Sequence, residues 1–227
     1  MGFTYVIEHM EEDEETTKAI PPWVELEYAH MRTLAGPDAH VQFTSLSQSS
    51  CDYLESVFAS SHSPLPPSSS SQDRKAQVSF HRERVMQRML SSSIPLDKVC
   101  LLDPKAEKEL ATEDGDGRFE WFLFGGILGD DPPRDRTSEL RVRGFPTRHL
   151  GPVQMTTDTA LGVTRLVVQD RIPLKEIPYI DQPTIRFNAK ESVEMPFRYI
   201  SDDTKEPRLP PGMKELLQED LNKTFDF

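Results

Sequence analysis

Short apolar, β-branched runs alternate with amphipathic stretches along this chain, which predicts an α/β protein with a mostly parallel sheet flanked by helices. Phe3 to Ile7 reads as the first strand, followed by Glu8-His9-Met10 and an acidic cluster, Glu11 to Glu15. Pro21 and Pro22 open a helix whose apolar face is Trp23, Leu26, Met31 and Leu34, and Gly36-Pro37 ends it. Val41 to Leu46 predicts a second strand and Tyr53 to Phe58 a short helix. The run from Val78 to Leu90, with Val85, Met89 and Leu90 among Arg82, Arg84 and Arg88, reads as one basic amphipathic helix.

Val99 to Leu102, stopped by Asp103-Pro104, suits a strand buried on both faces. Phe119 to Phe124 is a strongly aromatic strand. Thr137 to Arg143 predicts a short helix, Arg148 to Leu150 a short strand, and Thr156 to Val168 a helix. In that last helix Ala160, Val163 and Val167 form the buried face, while Thr156, Thr157 or Asp158 supplies the cap. Thr184 to Phe187 and Val193 to Tyr199 are segments able to pair, and Met213 to Leu221 reads as a terminal amphipathic helix. The expected organisation is one domain over 1–200, a mobile Ser/Pro-rich insertion at 60–75, and a tail over 201–227.

Charge narrows the partners. With 26 Lys and Arg against 38 Asp and Glu, the formal charge of −12 disfavours nucleic-acid phosphate and anionic membranes and favours a basic partner. Cys51 and Cys100 form neither a disulfide framework nor a zinc pattern, which points to a reducing, cytoplasmic setting and to no metal. No apolar run is long enough to span a bilayer, and the acidic start lacks the features of a signal peptide.

Two glycine-bearing turns follow predicted strands: Gly125-Gly126-Ile127-Leu128-Gly129-Asp130 and Leu150-Gly151-Pro152. Neither has G-x-G-x-x-G spacing, and no G-K-[ST] follows. They remain compatible with a cofactor whose adenine is read by backbone groups of strand-end loops, as S-adenosylmethionine can be. The alternative is a pair of ordinary structural turns.

The strings F-G-G-I-L-G-D-D-P-P-R-D-R-T and R-H-L-G-P-V-Q-M-T-T-D-T-A, with Y-V-I-E-H-M-E and W-V-E-L-E-Y near the start, resemble the SPOUT methyltransferases. Within that superfamily they are most similar to the branch first predicted to methylate RNA, whose fungal member is a protein arginine N-methyltransferase. The resemblance implies a SPOUT-like domain with a C-terminal trefoil knot, the chain near Leu150 to Val168 threading the preceding loop. It implies S-adenosyl-L-methionine as cofactor, S-adenosyl-L-homocysteine as product, and a pocket made by three loops. Matched onto this chain these are Leu102-Asp103-Pro104; Phe124, Gly125, Gly126, Leu128, Gly129 and Asp130; and Leu150, Gly151, Pro152 and Val153, running on to Met155, Thr156, Thr157 and Thr159. Leu128, Leu150 and Val153 would be the apolar walls around the adenine.

Methyl transfer from a sulfonium is an in-line displacement in which alignment supplies much of the rate, so little acid–base machinery is needed. An arginine nucleophile instead needs carboxylates to hold its charged fork. Glu8, Glu11, Asp130 and Asp131 fall where the resemblance puts the first-strand loop and the cofactor loop and are the expected clamp, with turn formation before Pro132 the alternative for Asp130 and Asp131. Asp158 reads as a helix cap, His9 and His149 as hydrogen-bonding residues, and Trp23 and Trp121 as core. Arg134 and Arg136 pair with Asp131 and Asp135, or one of them faces the cofactor carboxylate.

Three functions follow. The first is methylation of an arginine in a basic small-subunit ribosomal protein, the KH-domain protein foremost, by a monomer. The second is methylation of rRNA or tRNA, which a basic surface would favour. The third is a ribosome-associated binding module with a vestigial pocket.

Overall fold

The computed structural model describes residues 2–9, 20–59, 75–126, 135 and 137–224. Six strands, β1 (Thr4–Glu8), β2 (His40–Thr44), β3 (Gln77–Phe80), β4 (Val99–Leu102), β5 (Trp121–Gly125) and β6 (Thr147–Arg148), pair in parallel. Their spatial order is β3-β2-β1-β5-β4-β6. Helices α1 (Pro22–Ala35), α2 (Gln48–Ala59), α3 (Val85–Ser91), α4 (Ser138–Arg141) and α5 (Thr157–Val168) alternate with or follow these strands, and α6 (Met213–Thr224) comes near the end of the chain. Parallel pairing needs crossovers, so all six strands send their carboxyl ends to one edge of the sheet.

Strand alternation divides the core in two. Tyr5 and Ile7 of β1 join Phe43, Phe122 and Phe124 beneath α1 and α5, whereas Val6 joins Leu101, Leu123, Val85 and Met89 on the other face. Register reinforces the first layer, since Ile7 lies between Phe43 and Phe124 across two ladders. Tyr28 stacks on Phe43 at 3.7 Å between ring centroids. Each such side chain, fully buried, contributes about 1.5–3 kcal/mol by transfer from water. Pro22 seeds the first turn of α1, and Gly36, at a φ of 81°, stops the helix in a conformation open mainly to glycine. Helix α5 packs on α1 through Gly162, where Leu34 and Ile200 come within 3.2 Å of the position of a Cβ.

The segment expected to be one basic helix from Val78 to Leu90 is two elements. Gln77–Phe80 pairs with β2, and only Val85–Ser91 is helical. The alternation of Gln77, Val78, Ser79 and Phe80 is too short to outweigh the arginines that follow, but pairing with His40–Phe43 selects the strand. The Ser/Pro-rich stretch from 60 to 74 lies outside the described residues, as do 127–134, past which the expected threaded path would run.

Beyond α5 the chain forms a two-stranded ribbon whose base packs on α5 through Ile200. Strand β7 (Tyr179–Asp181) pairs antiparallel with β10 (Arg198–Ile200), and β8 (Thr184–Arg186) with β9 (Ser192–Glu194). Its base is tied to the segment before α5 by a Met155–Arg198 bridge and a 2.8 Å bond from the Arg198 amide to the Gln154 carbonyl. Cys51 and Cys100 are free and buried, and burial pushes the Cys100 thiol up to about 12, which leaves it protonated and unreactive.

Candidate cofactor and substrate site

The described parts of the three expected loops converge. At the carboxyl ends of β4, β5 and β6 lies a cavity of about 420 Å³. It is lined by Leu102, Asp103 and Pro104 from the first loop, Phe124, Gly125 and Gly126 from the second, and Leu150, Gly151, Pro152, Val153, Gln154 and Met155 from the third. Thr157 and Ala160 of α5 close it, and Lys105, Asp135, Thr137 and Arg141 form a polar wall. A mostly apolar cleft of this size with a few convergent polar groups suits a nucleoside-sized ligand. Gly151, at a φ of 98°, turns the third loop over the cavity. Its amide donates to the His149 ring at 3.0 Å, which fixes that turn.

The polar wall is an ion network. The Arg141 guanidinium donates from Nε and Nη2 to the two carboxylate oxygens of Asp103 at 2.5 and 2.7 Å, and to both oxygens of Asp135 at 3.1 Å. Lys105 Nζ reaches Asp135 at 2.7 Å, and the Lys105 amide reaches Asp103 at 2.9 Å. Burial pushes the Asp103 carboxyl up, but the hydrogen bonds from Arg141 and the Lys105 amide outweigh it and hold the group below its ordinary value. Hydrogen bonds from Arg141 and then Lys105 hold Asp135 lower still. Both acids are therefore ionised around neutrality, and the wall is a charge-balanced network of two carboxylates and two cations.

Glu8 lies elsewhere. Alternation along β1 puts it on the face of Val6, where its carboxylate accepts from Thr44 Oγ1 at 2.5 Å, Ser45 Oγ at 2.7 Å and the Val85 amide at 2.9 Å. It is 6 % exposed and does not line the cavity. Its observed contacts tie the ends of β1 and β2 to the start of α3.

A family model described as protein arginine N-methyltransferase SFM1-like matches residues 4–224. The chain belongs to that family. Over 133 residues it is 50% identical to protein arginine N-methyltransferase SFM1 of Saccharomyces cerevisiae, a match covering 57% of this chain and 62% of the yeast protein. It thus spans under two thirds of that curated relative's length in sequence. Among solved structures, yeast SFM1 complexed with SAM superposes with a TM-score of 0.72 at 35% identity, covering 97% of this chain and 92% of that one. The complex with SAH gives 0.69 at 35% identity over 94% of each. A structure of spTrm10 gives 0.51 at 11% identity, covering 74% of this chain and 88% of that one, and shares the SPOUT-like fold alone.

For this member of the SFM1-like family, several expected site residues sit otherwise than the sequence suggested. Thr156 and Thr159 do not line the cavity; their hydroxyls bond each other at 2.8 Å in the first turn of α5. No side chain caps that helix. Asp158, expected as a cap, is 1% exposed and holds His30 Nδ1 of α1 at 2.7 Å, which pins α5 to α1 instead. His9 bonds the Tyr28 hydroxyl at 2.8 Å. Glu11, Leu128, Gly129, Asp130, Asp131, Arg134 and Arg136 lie outside the described residues.

Lys105, Thr137, Arg141, Gln154 and Ala160 were not anticipated at the cavity, and Asp135 only as a local partner of nearby arginines. In sequence Arg141 is one more charge in a short polar helix, and its tie to Asp103 spans 38 positions. Among the described residues, no group of three or more His, Cys, Asp or Glu could hold a metal, and no helix is long and apolar enough to cross a membrane.

Proposed function

We propose that this protein transfers a methyl group from S-adenosyl-L-methionine to a guanidinium nitrogen of a protein arginine. What carries the reading is the convergence of the three strand-end loops on one cavity, in a chain superposing over 97% of its length on an SFM1 structure that holds SAM. Leu102, Phe124, Leu150, Pro152, Val153 and Met155 would enclose the adenosyl portion, and the Lys105–Arg141 wall would face its charged tail. The cofactor supplies an electrophilic methyl on a sulfonium and leaves as the neutral thioether of S-adenosyl-L-homocysteine. The chain's own work is to exclude water, to hold the arginine in line, and to accept the proton lost as the nitrogen is methylated. Asp130, Asp131 and Glu11 remain our candidates for the arginine clamp.

A cationic partner fits the charge of −12. We place it among basic proteins of the small ribosomal subunit, the KH-domain protein first, in the cytoplasm, with the enzyme acting as a monomer. RNA fits less well. Among the described residues, the cations at the cavity and on the neighbouring surface are paired internally: Lys105 and Arg141 on Asp135, Arg148 and Arg118 on Asp114, and Lys98 on Glu120. Phosphate contacts would have to break those pairs.

The reading is tested by calorimetric titration of the full chain with S-adenosyl-L-methionine and with S-adenosyl-L-homocysteine. We expect one site for each, mutually competitive. Absence of heat from both would make the cavity vestigial and remove the reading.

A further inference from the structure

The ribbon beyond α5 carries a strand edge without a strand partner among the described residues, its base next to the cavity-lining Gln154, and its hydrogen-bond phase identifies that edge. Inward bonds run from Met195 N–H to the Pro183 carbonyl at 2.9 Å and from Phe187 N–H to the Glu191 carbonyl at 3.0 Å. With Ile185 opposite Val193, residues 191, 193 and 195 therefore turn their backbone groups toward β8. The same phase continues into β10. Gln182 N–H bonds the Phe197 carbonyl and Ser201 N–H the Pro178 carbonyl, so the odd positions stay inward.

The even positions face out. At the base they are occupied: Arg198 N–H donates to the Gln154 carbonyl at 2.8 Å, and the Ile200 carbonyl accepts from Arg208 N–H at 2.9 Å. Further out, the N–H and C=O of Ser192 and Glu194 point the same way, and β9 has no strand partner other than β8 among the described residues. Gln154 and Met155 both line the cavity. The outer edge of β9 lies up the same chain segment as the Gln154 contact, past a bend at Phe197, its outward groups starting within about 13 Å of chain from Arg198 at ~3.3 Å per residue.

We propose that the protein substrate docks as an added strand on this edge. An extended peptide pairs with Ser192 and Glu194, runs past the bend at Phe197 toward Gln154–Met155, and delivers an arginine to the cavity mouth. Main-chain bonds supply affinity with little sequence demand. Glu194, exposed on the same strand, suits the basic flanks of such a peptide. An isolated two-stranded ribbon is marginally stable, so a third strand also orders it. The occupant's identity rests on the methyltransferase reading; the strand addition is read from the ribbon alone.

The probe is a nine-residue peptide of alternating Thr and Val around a central Arg, flanked by Lys and added to the full chain with bound S-adenosyl-L-homocysteine. Saturating peptide should slow amide hydrogen exchange at Ser192 and Glu194 at least about tenfold. Ser192→Pro combined with Glu194→Pro removes two outward donors and no ladder bond, so the ribbon should persist. It should raise the peptide Kd at least about tenfold and leave cofactor Kd unchanged. Arg186→Pro, on the opposite edge, should leave peptide binding within about twofold.

Equal binding by wild type and double variant, protection confined to other residues, no peptide binding, or concentration-dependent pairing of two copies through Ser192 and Glu194 would each overturn the proposal. Peptide binding without methyl transfer would keep the edge and remove the enzymatic reading. Methyl transfer indifferent to the prolines would do the reverse.

Discussion

Arg141 holds Asp103 by two hydrogen bonds, 2.5 and 2.7 Å long, although the acid is 1% and the guanidinium 28% exposed. The pair joins the carboxyl end of β4 to α4 and forms the polar wall of the cavity. Removing one partner of a buried pair strands the other charge, which is costlier than losing a surface pair.

Arg141→Met should therefore destabilise the fold by about 2–3 kcal/mol and weaken S-adenosyl-L-methionine binding at least about tenfold. Urea unfolding and calorimetry check the two effects. Unchanged affinity at unchanged stability would remove this wall from the site. Both Asp103 and Asp135 titrate below the ordinary 3.8 of an aspartate, so their contribution is fully present above that value. It is lost only as pH falls through their folded-state values, so the wall should be pH-insensitive from 5 to 8.

Glu8 leads to a different expectation. Its carboxylate serves three donors from β2, the turn after it and α3, so Glu8→Gln presents an amide N–H₂ to groups that are themselves donors. Stability should fall by about 1–3 kcal/mol, while kcat per folded molecule changes less than about threefold. Thermal unfolding and initial rates below the transition separate the two. A large fall in kcat with stability intact would return Glu8 to the reacting centre.

Glu27 supplies a pH dependence. It is 6% exposed on α1; burial first, then the charge of Asp158, pushes its carboxyl well above the ordinary 4.5. In the folded state it keeps a proton that the unfolded chain releases above that value. Stability therefore falls as pH rises from 4.5 through the folded-state pKa, by up to about 1.4 kcal/mol per pH unit from this group. Glu27→Gln should flatten the decline in Tm between pH 5 and 8, and an identical slope in both proteins would contradict the assignment.

Two glycines should fail for different reasons. A Cβ on Gly115 would meet the Val168 carbonyl oxygen at 2.0 Å, so Gly115→Ala must push the 112–115 turn off the end of α5, at about 2–3 kcal/mol. At Gly151 nothing stands within 4 Å, but a φ of 98° disfavours any side chain. Gly151→Ala should cost about 1–2 kcal/mol and weaken the cofactor through a reshaped loop. Unfolding and calorimetry on both variants check this: loss of affinity in the first without the second would reverse the roles.

How much of this was legible from residues alone depends on the range of the interaction. Buried parallel strands such as Val99–Leu102 and Trp121–Gly125 announce themselves as apolar runs ended by breakers, and the glycine turns beyond them locate the loops. Gln77–Phe80 does not, because four residues of weak alternation become a strand only beside β2. Arg141 with Asp103, and His30 with Asp158 across 128 positions, are set by tertiary placement that no local pattern encodes. Glu8 takes whichever face alternation gives a strand-end acid, and only the packing of Val6 under α3 marks which face that is.

The central claim is that these loops serve methyl transfer to protein arginine. Its most direct test incubates the full chain with methyl-tritiated S-adenosyl-L-methionine and separated protein and RNA fractions of small ribosomal subunits, then hydrolyses the labelled material. The account predicts label in protein, recovered as methylarginine, and its loss in Arg141→Met. Label confined to RNA, or protein label on a residue other than arginine, would contradict it.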